Sequence, residues 1–361
     1  MAKFLIARLS AIGDVAMAIP SIYAIARANP EHQFTVLTQP FLTTIIVEPP
    51  RNLEAMAIDI KREERRLPGL FRYAIRLRGE GFDGFIDLHD VLRTKILRGI
   101  VGFGKTRVWH LRKPRAMRGK LLAPPPTKEL TPLPSMQELY IDTLVRAGLH
   151  PPLGLIESIK IESPRYWRAL ASYPELTKPQ GLIPIGVAPF ASTDSKTYDL
   201  GLMEQVVAKL NDSGQYYVFL FGGRGKEADT LCQWAERYPR VKSLAGQLEL
   251  ADELAIMSRL GAMLSMDSAN AHLAAMVGTR VVSVWCGTHP YAGFMAMGQK
   301  FEDCLQTSEL DCRPCSIFGK VKRCLHGDMP CRRAITPEYI ADRVAAAAQE
   351  ETNKRQHQTI K

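Results

Sequence analysis

Short apolar runs alternate with longer stretches of helical periodicity along the whole chain. Phe4 to Arg8 is followed by a turn-like Leu9 to Gly13 and then by an Ala/Ile-rich stretch from Asp14 to Ala28, which predicts strand, turn, helix. Further runs at Phe34–Leu37, Ala55–Ile60 and Gly84–Leu88 are spaced by helical segments. A Pro-rich loop (Pro124–Pro126, Thr131–Pro134) precedes a helical pattern at Met136–Ala147. The second half repeats the scheme. Strands are predicted at Ile183–Ala188, Tyr217–Phe221, Ala262–Met266 and Val281–Val284, and helices at Leu200–Asn211, Gly225–Glu236, Ala251–Arg259 and Ala269–Val277. Strands separated by helices imply parallel sheets, so an α/β chain with two Rossmann-like domains is expected. The Pro/Gly-rich stretches Pro151–Gly154 and Pro174–Pro184 bracket the linker. The expected division is 1–165, a linker at 166–180, 181–345, and a polar, frayed tail at 346–361.

Composition narrows the class. The 361 residues are 46% hydrophobic and 23% charged, which excludes disordered, collagen-like and disulfide-scaffold chains. No apolar run approaches the ~18 residues of a membrane span, and Met1 to Arg8 lacks the basic and apolar regions of a signal peptide. A cytoplasmic chain is expected, its seven cysteines serving as thiols or ligands.

Charge sharpens the picture. Of the net +10, Met1–Arg165 carries +9, and Lys61–Lys120 has 17 basic against 6 acidic residues. A field of that size expects an anionic partner: nucleic acid, an anionic membrane surface, or a phosphorylated molecule or lipid. No recognition-helix, RNP or zinc-finger pattern supports the first, so no nucleic-acid partner is expected.

Two motifs mislead. Gly99–Thr106 has P-loop spacing, but the charged, helix-like Val91–Arg98 precedes it where a buried strand is required. The first turn has Gly13 where a dinucleotide fingerprint needs three spaced glycines. Cys312, Cys315, Cys324 and Cys331 are spaced like a four-thiolate zinc ribbon, the alternative being a loop of unpaired thiols.

Ligands of parallel sheets bind beyond the carboxyl ends of the strands, and three segments there carry chemistry. Ser10-Ala11-Ile12-Gly13-Asp14 places a carboxylate at a helix start, either as a proton acceptor or as a cap. Ala191-Ser192-Thr193-Asp194-Ser195-Lys196 offers hydroxyls and a point charge to phosphate oxygens. Ser265 to His272 runs from strand into helix, where the amides of Ser268 to Asn270 form an anion site beside Asp267.

The segments Ile6–Asp14 with Pro20, and Met266–Ala275 followed by Gly287-Thr288-His289-Pro290, resemble the two signatures of glycosyltransferase family 9, the ADP-heptose:lipopolysaccharide heptosyltransferases. The similarity runs from Lys3 to about Val344 and includes Phe85-Ile86-Asp87-Leu88, Gly222-Gly223 with Glu227, and Ile335-Thr336-Pro337. It implies a GT-B fold, two Rossmann-like domains facing a cleft, with acceptor in the N-terminal domain and nucleotide sugar in the C-terminal one. It implies transfer of heptose from ADP-heptose to the lipopolysaccharide inner core with inversion, at the cytoplasmic face of the inner membrane. Asp14 would be the general base, with Ser10 and Gly13 near the donor phosphates. Ser192, Thr193 and Lys196 would bind diphosphate, Glu227 the ribose, and Leu248 would lie under adenine. Asp267 would bind sugar hydroxyls, Ser268, Ala269 and Asn270 would supply backbone donors, and His272 would support that loop. Arg62, Arg65 and Arg66 would meet the acceptor. No Asp-x-Asp occurs in the chain, so no metal or other cofactor is expected in catalysis. The chain departs from the family pattern at Ala269 (usually Gly), Tyr198 (Trp) and His289 (Asp). Another nucleotide sugar as donor, a nucleotide-sugar epimerase, and a basic nucleic-acid-binding protein are the alternatives.

Overall fold

The computed structural model describes residues 1–177 and 181–359. By their contacts these form two compact units, Met1–Lys113 with Pro134–Ile159, and Pro114–Leu133 with Lys160–Lys361. In the first, β1 (Lys3–Ala7), α1 (Ile12–Ala28), β2 (Gln33–Thr38), β3 (Leu53–Ala57), α2 (Leu67–Gly79), β4 (Gly84–Asp87), α3 (Leu92–Val101) and β5 (Arg107–His110) follow one another. The short helix α4 (Arg115–Leu121) belongs to the second unit, and α5 (Met136–Arg146) returns to the first. The sheet order is β3-β2-β1-β4-β5, every pairing parallel. β1 is buried from Phe4 through Ala7, as a central strand covered on both faces requires. Helix α5 starts on a capping box: the Ser135 hydroxyl accepts from Glu138 N, and Glu138 Oε2 accepts from Ser135 N at 2.7 Å. The first two glycines of the Gly99–Thr106 run lie in or just after α3, so it forms no P-loop.

In the second unit α6 (Trp167–Ala171) and α7 (Pro174–Thr177) precede β6 (Ile183–Ala188). Of the expected linker, 166–177 is therefore largely helical, held by the buried Leu170 and Leu176; 178–180 lie outside the described residues. Then come α8 (Leu200–Asp212), β7 (Tyr216–Leu220), α9 (Lys226–Arg237), β8 (Val241–Ser243), α10 (Leu250–Met257), β9 (Ala262–Met266), α11 (Ala269–Met276), β10 (Val281–Val284), β11 (Cys304–Leu305) and α12 (Pro337–Thr359). The sheet runs β11-β10-β9-β6-β7-β8, again all parallel. Its strands pack against Val206, Val207 and Leu210 of α8 and Ile340, Val344, Ala347 and Ala348 of α12.

The tail expected to fray continues as helix α12 through Thr359. Ala345–Ala348 and the Glu/Gln/Lys/Arg that follow are strong helix formers. Glu350 pairs with Arg280, and Lys209 with Glu338 at 2.8 Å, tying the helix down. Residues 360 and 361 of that tail lie outside the described residues. No described helix is long and apolar enough to cross a membrane.

Candidate functional site

In the second unit the chain reverses its direction of travel across the sheet between β6 and β9, the topological switch point where open α/β sheets bind ligands. The loops after those two strands meet there. Lys196 Nζ lies 2.9 Å from Asp267 Oδ2, with the side chains 13% and 6% exposed. Beside them α11 begins at Ser268, whose Oγ is 3.0 Å from Ser265 Oγ. Its first-turn amides, at Ala269 and Asn270, have no intrahelical carbonyl to meet and form a ready anion cradle. Ser192 is exposed and Thr193 half-buried on the β6 loop, and His272 is buried in α11.

After β7, Glu227 in the first turn of α9 accepts from Gly223 N at 2.7 Å, fixing the Gly222-Gly223 turn. A Cβ on Gly222 would come 2.9 Å from the Leu231 side chain, which explains the glycine. Leu248, half-buried, follows β8 ahead of α10. All these residues are at the carboxyl edge of one sheet, as expected.

The Cys-rich segment plays a part the sequence did not suggest. Among the described residues no group of three or more His, Cys, Asp or Glu is arranged to hold a metal ion. The zinc expectation at Cys312, Cys315, Cys324 and Cys331 is therefore corrected. All four are thiols: Cys312 and Cys331 are buried, Cys315 is exposed, and Cys324 is intermediate. Burial and its thiol neighbours push Cys315 up to about 12, so it stays protonated at neutral pH. The segment acts through Arg313 and Gly319 instead. Arg313, 3% exposed, donates to the carbonyls of Trp285, Cys286, Thr288 and Thr307, bracing the loop after β10. Gly319 has φ +75°, and its carbonyl accepts from Ser195 Oγ. A Cβ there would stand 2.5 Å from the Lys196 stem and from Thr193 Oγ1, so the segment closes directly over the phosphate-binding candidates. Gly287 N donates to Ser195 O at 2.7 Å, joining the β10 loop to the same cluster.

His289, where an acid was expected from the family pattern, accepts from Tyr291 N at its Nδ1. Burial, then Arg313 and Lys128, push its pKa down to about 4. The unfolded chain thus binds the proton that the folded chain refuses. His289 costs no stability above pH 6.5, and folding stability falls as pH drops from there toward 4, by at most ~1.4 kcal/mol per pH unit. His289→Gln is expected to flatten the decline in melting temperature between pH 7 and pH 5; an unchanged slope would count against this assignment.

In the first unit Asp14 sits in the first turn of α1. Its Oδ2 lies 2.7 Å from Arg8 Nη2 and accepts from Ala11 N at 3.2 Å. The carboxylate is 26% exposed, so it is both a helix-start anchor and open to a ligand. Arg8, 5% exposed, also donates to Leu88 O and lies over the Tyr140 ring. Ser10 is half-buried in the preceding turn and Gly13 is buried. Beyond β4, Asp87 is fully buried and accepts from His89 N and Asp90 N while pairing with Arg98 at 3.0 Å. His89 thereby stands among Arg8, Asp14, Asp90 and Lys113, its pKa pushed down to about 3 chiefly by burial. Arg8 and His89 were missed in the sequence, although Arg8 lies within the quoted signature and His89 directly follows Phe85–Leu88. Arg62, Arg65 and Arg66 are exposed on the segment after β3, at the sheet's edge. No hydrogen bond or ion pair found among the described residues joins them to Asp14.

Two all-parallel α/β units with this chemistry at their carboxyl edges are those of a GT-B glycosyltransferase. Residues 157–322 match the model of glycosyltransferase family 9 (heptosyltransferase), and the chain is a family 9 glycosyltransferase. Among solved structures, a glycosyltransferase family 9 protein from Veillonella parvula is 17% identical, with a TM-score of 0.76 and coverage of 97% of this chain and 98% of that one. E. coli ADP-heptose lps heptosyltransferase II is 15% identical (TM-score 0.71, coverage 98% and 100%). E. coli heptosyltransferase WaaC with ADP is 16% identical (TM-score 0.63, coverage 94% and 99%). At these identities the likeness establishes the fold. No curated protein sequence matches the chain.

Proposed function

We propose that this protein is an inverting heptosyltransferase that moves heptose from ADP-heptose to the inner core of lipopolysaccharide, on a Kdo-lipid A type acceptor at the cytoplasmic face of the inner membrane. The observation that carries the reading is the Lys196–Asp267 pair at the switch point beside the α11 N-terminus. Buried positive charge and unpaired amides there suit a diphosphate leaving group, and a buried carboxylate suits sugar hydroxyls. In the reaction the acceptor hydroxyl oxygen bonds to the anomeric carbon as the bond from that carbon to the diphosphate oxygen breaks. Asp14 takes the hydroxyl proton, and ADP departs with its charge met by Lys196 and the amides of Ser268, Ala269 and Asn270. This reading calls on no divalent metal. Ser192 and Thr193 hold phosphate oxygens, Ser10 and Gly13 approach the donor phosphates, Glu227 takes the ribose, Leu248 packs on adenine, and His272 supports the α11 loop.

A different sugar on the same nucleotide is the second reading, favoured by the neutral His289 in place of an acid. Both readings are tested by melting curves with ADP-, UDP-, GDP- and CMP-sugars. At about one hundred times its Kd a bound donor stabilises by ~2.7 kcal/mol, so an ADP-sugar alone is expected to raise the melting temperature. A response to UDP-, GDP- or CMP-sugars equal to that with ADP-sugars, or none to any, would contradict the proposal.

The acceptor is assigned to the basic segment after β3. Reversing Arg62, Arg65 and Arg66 together to Glu removes charge-assisted bonds worth ~1.5 kcal/mol each, so the KM for acceptor is expected to rise roughly tenfold or more. ADP affinity, measured by calorimetry, stays unchanged. Equal losses on both substrates would remove these residues from the acceptor site.

A further inference from the structure

Helix α2 leaves an apolar stripe uncovered. Leu67, Phe71 and Ile75, four residues apart and hence along one line of the helix, are 57%, 46% and 63% exposed. The inward face, Leu70, Tyr73, Ala74 and Leu77, is buried in the core of the first unit. Arg72 and Arg76 are exposed along the flank of the stripe. At its C-terminal end Arg78 lies 5.2 Å over the ring of Phe103, itself 72% exposed just beyond α3. From Lys61 to Glu80 there are seven basic and three acidic residues, and from Val91 to Arg107 five basic and none acidic. None of Leu67, Phe71, Ile75 or Phe103 has a part in the chemistry above.

We propose that this face of α2, with Phe103, docks on an anionic lipid bilayer, the apolar stripe entering the boundary between headgroups and acyl chains while the arginines meet lipid phosphates. Apolar side chains lined up beside basic ones on a single helix are the combination by which interfacial helices bind. Charge complementarity selects the occupant. A second copy of this chain would set the same basic surface against itself, and a nucleic acid has no use for an exposed Leu, Phe and Ile in line. Arginines near an anionic leaflet gain from its negative surface potential, and that gain is lost beyond a Debye length, so the contact is close and salt-sensitive. The inference deepens the proposed function, since it names the surface that brings the enzyme to a lipid-borne acceptor, and it rests on that reading for its purpose alone.

The test is co-sedimentation of the full chain with vesicles of phosphatidylcholine and phosphatidylglycerol in equal parts, against vesicles of phosphatidylcholine. The wild type is expected to bind the anionic vesicles and not the neutral ones. Phe71→Ser with Ile75→Ser is expected to weaken that binding by at least about tenfold, and Arg72→Glu with Arg76→Glu to abolish it. All four positions are exposed, so melting temperatures stay at the wild-type value and the two losses report binding. Wild-type failure to bind anionic vesicles, or F71S/I75S binding as well as wild type, overturns the proposal. So does a wild-type dimer or DNA complex that F71S/I75S dissolves in the absence of lipid. Vesicle binding without any response to ADP would overturn the transferase reading and leave this one standing; a response to ADP without vesicle binding does the reverse.

Discussion

Asp14→Asn is expected to reduce transfer by on the order of 10²- to 10⁴-fold, the usual contribution of a positioned general base, with donor affinity unchanged. The carboxylate is fixed twice, by Arg8 at 2.7 Å and by the Ala11 amide at 3.2 Å, at the start of a helix whose dipole favours negative charge. An asparagine oxygen can still accept from Ala11 N, so the start of α1 is kept. It cannot take a proton from an acceptor hydroxyl, and it leaves Arg8, 5% exposed, without its counter-charge. Some stability is therefore lost with the activity. The two are separated by measuring ADP affinity and turnover on the same folded sample, well below the melting temperature. Full turnover in that sample would remove Asp14 as the base and return it to a purely structural role with Arg8.

Lys196→Ala is expected to act on donor binding and on stability together. The ammonium and Asp267 are almost wholly buried, and removing one partner of a buried pair commonly costs ~3–5 kcal/mol because the other charge is stranded. The leaving-group charge loses its cationic partner at the same time, so the affinity for ADP falls about tenfold or more. Lys196→Met combined with Asp267→Leu keeps the volume and strands no charge. It is expected to recover most of the melting temperature and none of the ADP affinity. Recovery of both would show that the pair is only a structural bridge between the β6 and β9 loops.

Much of this was legible in the sequence, and for identifiable reasons. Central strands buried on both faces are continuous apolar runs, so β1, β2, β4, β6, β7, β9 and β10 stand out as Phe4–Arg8, Phe34–Leu37 and their counterparts. Edge strands do not: β5 reads Arg-Val-Trp-His, β8 has three residues and β11 two. Helix α12 was hidden because a run of Ala, Gln and Glu has no apolar stripe beyond Ala348; its anchor is the ion pair of Glu350 with Arg280, far apart in sequence. Post-strand position located Asp14, Lys196 and Asp267 correctly at sheet edges. It could not show that Lys196 and Asp267 are partners across 71 positions, or that Arg8 turns back onto Asp14. The cysteine spacing drew attention to the right segment for the wrong chemistry. The groups there that matter are Arg313, which gathers four carbonyls, and Gly319, whose missing Cβ leaves room for the Lys196 stem.

The central claim is transfer of heptose from ADP-heptose to a lipid-borne acceptor, and mass spectrometry of both substrates in one reaction tests it most directly. Purified protein incubated with ADP-heptose and Kdo-lipid A is expected to release ADP and to add heptose to the acceptor in equal amounts, with neither change when the acceptor is left out. Conversion of the nucleotide sugar without any gain by the acceptor, or an acceptor left unmodified beside intact donor, would contradict the account.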